Sequence, residues 1–352
     1  MLFMEVKKMK LFVTSDIHGY FDEFKKALEE AGFDENNKEH FLLTLGDHFD
    51  RGSQPEQVMN YLMSLERWIG IKGNHEELLT ECIDRGYWYG HDISNGTMQT
   101  ICDLAPNAQT FDVACSVAYE KTKEFMSKLV DYFETEKYIF VHSWIPLIIE
   151  DDCPKYYTRD REYHFNSNWK NATKKEWEEA RWGNPFEIAE QGLNQTGKTI
   201  VFGHFHTSYP RHKYENKQEF GEEADFSPFY GEGYIGIDAC TAHSKKCNVI
   251  VLEDEFLQES TYKRFNSYNL SKKNNIPTSS SGILGVYLDK INGHWGAEIT
   301  KNGLKTRLGT FIEKEEAIKA RLQAEKKYFG EFAPQRHLFK EYGIEDDFSK
   351  EK

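Results

Sequence analysis

The six cysteines, Cys82, Cys102, Cys115, Cys153, Cys240 and Cys247, include no CxxC pair. Their scatter argues against a zinc ribbon, a thioredoxin-like motif or a disulfide framework, and reduced, mostly buried thiols are expected. No apolar run approaches the roughly 18 to 20 residues that a membrane span requires, so no membrane partner is expected. The opening MLFMEVKKMK lacks an apolar stretch with a small-residue cleavage site, which makes the cytoplasm the expected location. Positive charge is not in excess either: 44 Lys and Arg stand against 58 Asp and Glu, a net charge of -14. That balance disfavours whole-surface attraction to nucleic acid and leaves only local basic patches to consider. What is present is 39% apolar and 14% aromatic residues in a chain of 352. Such a chain can bury a sizeable core and has room for one large domain and a small one.

The first segment reads as a βα unit. LFVTSD is a short apolar strand, IHGY a turn, and FDEFKKALEEAG a helix with Phe21, Phe24 and Leu28 on one face and Gly32 at its end. HFLLTLGD and the amphipathic PEQVMNYLMSLERW repeat the unit, with Pro55 in the first helical turn. WIGIKGNH, KYIFVHS, KTIVFGH and YIGIDA supply further strands, and polar residues recur at their exits. This alternation predicts an α/β core with much parallel pairing, whose ligands bind beyond the carboxyl ends of the strands. Residues from about 80 to 135 read as helical and placed to cap the site. Residues 207 to 233 read as a long surface loop. The polar stretch 256–281, ending in NNIPTSSSG, reads as a linker between a catalytic domain, 1–255, and a second unit.

Five short motifs sit at the strand exits: Asp16-x-His18-Gly19, Gly46-Asp47-x-x-Asp50-Arg51-Gly52, Gly73-Asn74-His75-Glu76, Val141-His142 and Gly203-His204-x-His206. Carboxylate oxygen and neutral imidazole suit manganese, iron or zinc, and a carboxylate between two sites can bridge two cations. Asp47 is the bridging candidate. Two cations sharing a water lower its pKa toward about 7, which makes hydroxide the expected nucleophile. Phosphoryl transfer also needs positive groups on the non-bridging oxygens and a proton for the leaving oxygen. Arg51 and His75 fit those roles, and Asp50 is placed to orient the His75 ring and favour its protonated form. A single DxH or GNH says little, because a strand-end histidine is more often a satisfied hydrogen-bonding group than a ligand. The GDxxDRG heptad, however, fixes five residues and arises by chance at a given start roughly once in a few million.

Together these motifs resemble the calcineurin-like metallophosphoesterases, and more closely their phosphoprotein phosphatase branch with its GDxHG, GDxxDRG and GNHE signatures. The resemblance spans residues 10 to 254. It implies a central β-sandwich flanked by helices. It further implies one metal held by Asp16, His18 and Asp47 and a second held by Asp47, Asn74, His142 and His204. By the same resemblance His75 is the acid, Asp50 its partner and Arg51 the phosphate-binding residue, with Lys72 and Asn74 also facing substrate. Asn95-Gly96-Thr97 and Arg181-Trp182-Gly183-Asn184-Pro185 look like the NGG and tryptophan elements of bacterial and phage members. Arg181 is on that basis a second phosphate clamp, with a surface salt bridge as the alternative. Lys72 stands where several bacterial members carry arginine, so a point charge replaces a bidentate fork. Ser15 replaces the usual glycine before Asp16, Ser143-Trp144 replaces the residues after His142, and the last motif reads GHFH. GHxH belongs to wider metallophosphoesterases, where the second histidine completes the first metal. His206 either does so here or hydrogen-bonds beside the site.

Beyond the linker, GILGVYLDK, HWGAEITKNG and LKTRLGTF read as three short strands. They precede a helix, IEKEEAIKARLQAEKKYFG, that offers Ala317, Ala320, Leu322 and Ala324 for packing. The unit at 282–335 resembles the AP2-like DNA-binding domain, and 336–352 reads as a polar tail. The resemblance implies duplex DNA as a partner, met by Lys290, His294, Trp295, Lys301, Lys305 and Arg307. Asp289 and Glu298 offset part of that charge, and the alternative is that Trp295 is core and the charges an ordinary solvated face. The expected activity is a two-metal phosphoesterase, manganese first, acting on phosphomonoesters in the manner of a Ser/Thr protein phosphatase. A nucleic-acid or nucleotide phosphoesterase and a non-catalytic DNA-binding regulator are the alternatives.

Overall fold

The computed structural model describes residues 8–149, 162–255, 283, 285–289, 293–301, 304–330 and 333–349. The chain divides into two compact units, 1–256 and 257–352.

In the first unit, strands β1 (Lys8–Thr14), β2 (His40–Thr44) and β3 (Trp68–Gly70) alternate with helices α1 (Phe21–Glu30) and α2 (Pro55–Ser64). The three strands run parallel, as the βα alternation requires, and a late strand adds antiparallel to β1. Every residue of β2 is buried, the continuous apolar pattern expected of a strand covered on both faces. Four helices follow: α3 (Asn74–Arg85), α4 (Gly90–Asn95), α5 (Thr97–Leu104) and α6 (Phe111–Lys128). The apolar faces of α3, α5 and α6 pack with α1 and α2 on one side of this sheet, around Phe12, Leu42, Ile101, Ala118 and Phe125.

The second sheet begins with the antiparallel pair β4 (Tyr132–Glu134) and β5 (Tyr138–Val141). A two-residue pair, β6 (Ile148–Ile149) and β7 (Tyr163–His164), and two short helices, α7 (Lys174–Ala180) and α8 (Pro185–Glu190), come next. Then come β8 (Thr199–Phe202), α9 (Ser208–Glu215), β9 (Phe229–Gly231), β10 (Tyr234–Gly236), α10 (Thr241–Ser244) and β11 (Val249–Glu255). The sheet orders are β11-β1-β2-β3 and β4-β5-β8-β10-β9, with β5, β8 and β10 parallel. Ile139, Val141, Ile200 and Phe202 cover α7 and α8 on one face of the second sheet. Leu11, Val13 and Leu43 of the first sheet and Phe140 and Val201 of the second, at the alternate positions, are buried as well. Burial on both faces of both sheets is what a sandwich flanked by helices demands.

The excursion expected as a loop at 207 to 233 carries regular structure at both ends, since α9 opens it and β9 closes it. Buried Arg211 ties its ends together by donating to Thr207 O (2.9 Å), Ser227 O (3.0 Å) and Pro228 O (3.0 Å). That tertiary tie leaves no local signature in the polar text.

In the second unit β12 (Val286–Asp289), β13 (His294–Lys301) and β14 (Leu304–Phe311) form an antiparallel sheet beside α11 (Lys314–Phe329). Ala317, Leu322 and Ala324 enter its core as expected, with Ala320 packed at its margin. The expected tail instead joins that core: Phe339 and Ile344 are buried in it. Arg336 pairs with Asp346 (2.8 Å) and Lys326 with Asp347 (2.7 Å). Leu338 and Tyr342 pack against the same core, so four apolar or aromatic residues anchor a segment rich in charge. Among the described residues, no helix is long and apolar enough to cross a membrane. The described cysteines carry free thiols; Cys153 lies outside the described residues.

Candidate active site

Six parallel strands, three from each sheet, end on the same kind of residue. From β1, β2 and β3 the chain runs into Asp16, Asp47 and Asn74; from β5, β8 and β10 it runs into His142, His204 and Asp238. The first turn is laced to the second through the backbone: Asp16 N donates to Gly46 O (3.1 Å), His18 N to Asp47 O (2.9 Å) and Gly19 N to His48 O (2.9 Å). In these two turns Asp16 (51°), His18 (51°), Asp47 (53°), Asp50 (69°) and Arg51 (66°) take left-handed backbone angles, as does His204 (65°) at the exit of β8. Such angles are unfavourable for residues with a Cβ and persist where the surroundings over-determine them. Gly73 shows how tight the packing is, because a Cβ there would lie 2.1 Å from Asp47 Oδ1.

Two groups of ligand-type atoms result, His18 with Asp47 and His75, and Asp47 with His142 and His204. Asp47 belongs to both, the geometry expected of a bridging carboxylate. Its Oδ2 lies 3.7 Å from His18 Nε2, and its Oδ1 lies 3.4 Å from His142 Nε2. Asn74 Oδ1 lies 2.8 Å from His142 Nε2 and 3.1 Å from His204 Nδ1. Asp16 stands beside them, its Oδ2 accepting from His204 N (2.9 Å).

The ring orientations are fixed from behind. His18 Nδ1 donates to Phe49 O (3.0 Å) and His142 Nδ1 to Leu45 O (2.7 Å), so each ring turns the Nε2 lone pair toward Asp47. Burial pushes the His142 and His204 rings down to about 3 and also lowers His18, keeping all three neutral. Burial raises Asp16 and Asp47, and for Asp16 the neighbouring carboxylates of Asp238 and Asp47 add to the effect. Neutral imidazoles and crowded carboxylates whose repulsion a cation would relieve are the donor set that divalent metal ions fit.

Beside this cluster His75 Nδ1 donates to Asp50 Oδ2 (2.7 Å), and Arg51 Nη2 donates to His75 Nε2 (3.1 Å). Arg51 Nη1 reaches His18 Nε2 (2.7 Å). Burial works against the charged His75 ring, but the carboxylates of Asp47 and Asp50 outweigh it and raise its pKa. The Asn95–Thr97 element seats this dyad: Thr97 Oγ1 donates to Asp50 Oδ2 (2.7 Å), and a Cβ on Gly96 would lie 2.4 Å from Arg51 N.

Two expected substrate contacts and one candidate metal ligand differ in their placement. Arg181 is buried, with Nε donating to Lys72 O (3.0 Å) and its two terminal nitrogens ion-paired with Glu77 and Asp131. This corrects its assignment as a phosphate clamp: a guanidinium held on three sides by the protein is not presented to a ligand. Lys72 lies 3.9 Å from the same Glu77. His206 Nε2 is bonded to Glu219 Oε1 (2.9 Å), and the ring falls outside both ligand groups.

Two residues with evident roles went unread in the sequence. Glu76, fully buried, accepts from Asp47 N (3.0 Å), Gly73 N (2.7 Å) and His48 N (2.9 Å), which staples the Asp47 turn to the start of α3. Burial alone would raise its pKa, but His48 and the backbone donors hold it down at about 2. Asp238 is the sixth strand exit, and YIGIDA carried the same signal as its five companions.

Of the basic candidates in the second unit, His294 and Arg307 are exposed, and Arg307 Nη2 donates to Thr310 Oγ1 (2.7 Å). Trp295 is partly buried against the core, with Lys314 Nζ 5.4 Å above its ring. Lys301 and Lys305 lie on β13 and β14, and Lys290 lies outside the described residues.

A sandwich with two carboxylate-bridged donor groups at its strand exits defines a metallophosphoesterase fold and site. The chain belongs to the calcineurin-like phosphoesterase family, whose profile matches residues 9–232. It is 42% identical over 69 residues to a symmetrical bis(5'-nucleosyl)-tetraphosphatase of Buchnera aphidicola subsp. Schizaphis graminum, covering 19% of this chain and 24% of the relative. A protein of the same name from Glaesserella parasuis serovar 5 is 38% identical over 69 residues, 19% of this chain and 25% of the relative. The chain thus spans about a quarter of the length of the curated relatives it matches. Among solved structures, the cold-active protein-tyrosine phosphatase of a psychrophilic Shewanella species aligns at TM-score 0.43 and 13% identity, over 70% of this chain and 76% of that one. A protein serine/threonine phosphatase from Saccharomyces cerevisiae aligns at TM-score 0.37 and 13% identity, over 71% and 81%.

Proposed function

We propose that the chain is a dinuclear-metal phosphoesterase. The observation that carries this reading is that Asp47 is shared by two groups of donors, all buried except the half-buried His204. Asp16, His18 and Asp47 would hold one divalent cation, and Asp47, Asn74, His142 and His204 the other, with manganese the first ion to test and iron or zinc behind it. Bound there, the pair would supply hydroxide near neutral pH and Lewis-acid stabilisation of the developing charge. Arg51, the exposed end of the cluster, gathers the non-bridging phosphate oxygens as its guanidinium swings from the imidazoles to substrate. His75 delivers a proton from Nε2 to the leaving oxygen while Asp50 holds Nδ1 and favours the protonated ring.

For substrate, two readings have support. The short curated matches are named for bis(5'-nucleosyl)-tetraphosphates, which favours a dinucleoside polyphosphate. The GDxxDRG and GNHE motifs favour phosphomonoesters, including phosphoserine and phosphothreonine. Purified chain with added manganese, presented in parallel with diadenosine tetraphosphate, a phosphopeptide, para-nitrophenyl phosphate and a bis-ester, separates them. We expect hydrolysis of at least one, and a complete lack of turnover in every arm would overturn the enzyme reading. For the second unit, exposed His294 and Arg307 support the AP2-like reading with duplex DNA as partner. A salt-sensitive gel shift with the full chain is its test, and no shift at low salt would end it.

A further inference from the structure

Three of the four residues between α7 and α8, Arg181, Trp182 and Gly183, reach the surroundings of three different side chains of the second donor group. Arg181 takes the carbonyl of Lys72, two residues before Asn74, through Nε (3.0 Å). The same guanidinium pairs with Glu77, one helical turn after Asn74 on α3. The backbone of Trp182 hydrogen-bonds the ring of His204. Gly183 O accepts from Ser143 Oγ (2.7 Å), the residue that follows His142. Asn74, His142 and His204 are therefore each backed by one residue of a single tripeptide.

The tripeptide is itself anchored at both ends. Before it, Trp177 is buried in the core of the second sheet. After it, Asn184 caps α8 by accepting from Phe186 N (3.1 Å) and Glu187 N (3.4 Å), with Pro185 in the first helical turn. Arg181 brings a third anchor through Asp131, at the end of the β3-side bridge between Ile71 and Val130. The ring of His18 in the first donor group is held by Phe49 O, as the ring of His142 is by Leu45 O, and neither carbonyl belongs to the tripeptide.

We infer that Arg181-Trp182-Gly183 is a brace that sets the ligand geometry of the second cation, with Arg181 a positioning residue that does not touch substrate. The inference rests on the two-metal reading. Partners behind metal ligands fix orientation at a tolerance of fractions of an ångström, and a cation site built from three chain segments needs a common reference. One tripeptide engaging all three segments supplies it. The consequence is asymmetric: loosening the brace should cost the second cation and spare the first.

The experiment is manganese binding to the metal-free full chain, followed by calorimetry and by the electron paramagnetic resonance of the bound ions. Wild type should take two ions and show an exchange-coupled pair. In Arg181→Gln the weaker site should lose about 10- to 100-fold in affinity, replacing the coupled signal with that of a single ion. Ser143→Ala should move the same way by less, and Arg181→Lys should restore part of the loss. Thermal unfolding reports whether Arg181→Gln folds; should it not, Ser143→Ala and Arg181→Lys carry the test. Two unaltered sites in the folded variants would overturn the brace. So would an intact coupled pair with weakened inhibition by inorganic phosphate, the signature of a clamp. Fewer than two ions on wild type would instead overturn the two-metal reading beneath it.

Discussion

Both units of this chain bury charge, and the pair buried in the second unit is the opposite of the carboxylates buried at the strand exits of the first. In the second unit Arg321 and Glu325, one turn apart on α11, form a complementary pair. Arg321 Nε donates to Glu325 Oε1 (2.9 Å) and Nη1 to Glu298 O (2.7 Å), while Gln335 N donates to Glu325 Oε2 (2.9 Å). Left-handed backbone angles there fall only on glycines among the described residues. In the first unit the buried carboxylates of Asp16, Asp47 and Asp238 repel one another, and the residues around them carry left-handed angles despite their side chains. Folding alone would favour neither feature. Complementary buried charge marks structure, and uncompensated buried charge on a strained backbone marks a place where a ligand is expected.

Mutation separates the two kinds of buried charge. The largest effect should come from Asp47→Asn, which removes the shared carboxylate and should lower kcat/KM by about 10³-fold or more in a steady-state assay with manganese. His75→Asn should lower kcat by about 10² to 10⁴-fold with the protein still folded, as pre-steady-state and steady-state rates on one ester can show. Glu325→Ala strips the partner from a buried guanidinium and should cost the second unit about 3 to 5 kcal/mol in denaturant unfolding, with ester hydrolysis unchanged. Asp16→Asn should act in the reverse sense on stability: with like charges relieved, the metal-free protein should melt at a higher temperature while losing activity. The smallest effect belongs to Asn216→Gly. This left-handed position lies outside the site, and relaxing it should stabilise the first unit by about 0.5 kcal/mol or less. If Asp16→Asn destabilises the metal-free protein as Glu325→Ala does, the distinction between the two kinds of buried charge fails.

Much of the site was legible because it is built from local rules. Each apolar strand reads on into a polar residue, so Asp16, Asp47, Asn74, His142 and His204 could be found one strand at a time. Asp238 obeys the same rule and was passed over because no known motif surrounds it. What local rules could not show is where long side chains end. Arg181 looks like an exposed clamp in RWGNP, yet its destination is set by Glu77 and Asp131, about 100 and 50 positions away in sequence. Glu76 was visible as the last letter of GNHE, but its role depends on how closely the Asp47 turn approaches α3. The tail at 336–352 reads as polar for a related reason: Leu338, Phe339, Tyr342 and Ile344 are interspersed with charged residues, and only the three-dimensional core reveals their use.

The proposed centre depends on Asp47 joining two cation sites. Its most direct test is to strip the full chain of metal and titrate manganese back while following hydrolysis of the ester that proves best. Turnover should be absent without metal, rise to a plateau at two ions per chain, and fail to return in Asp47→Asn. Turnover in the stripped protein, or a plateau at a single ion, would contradict it.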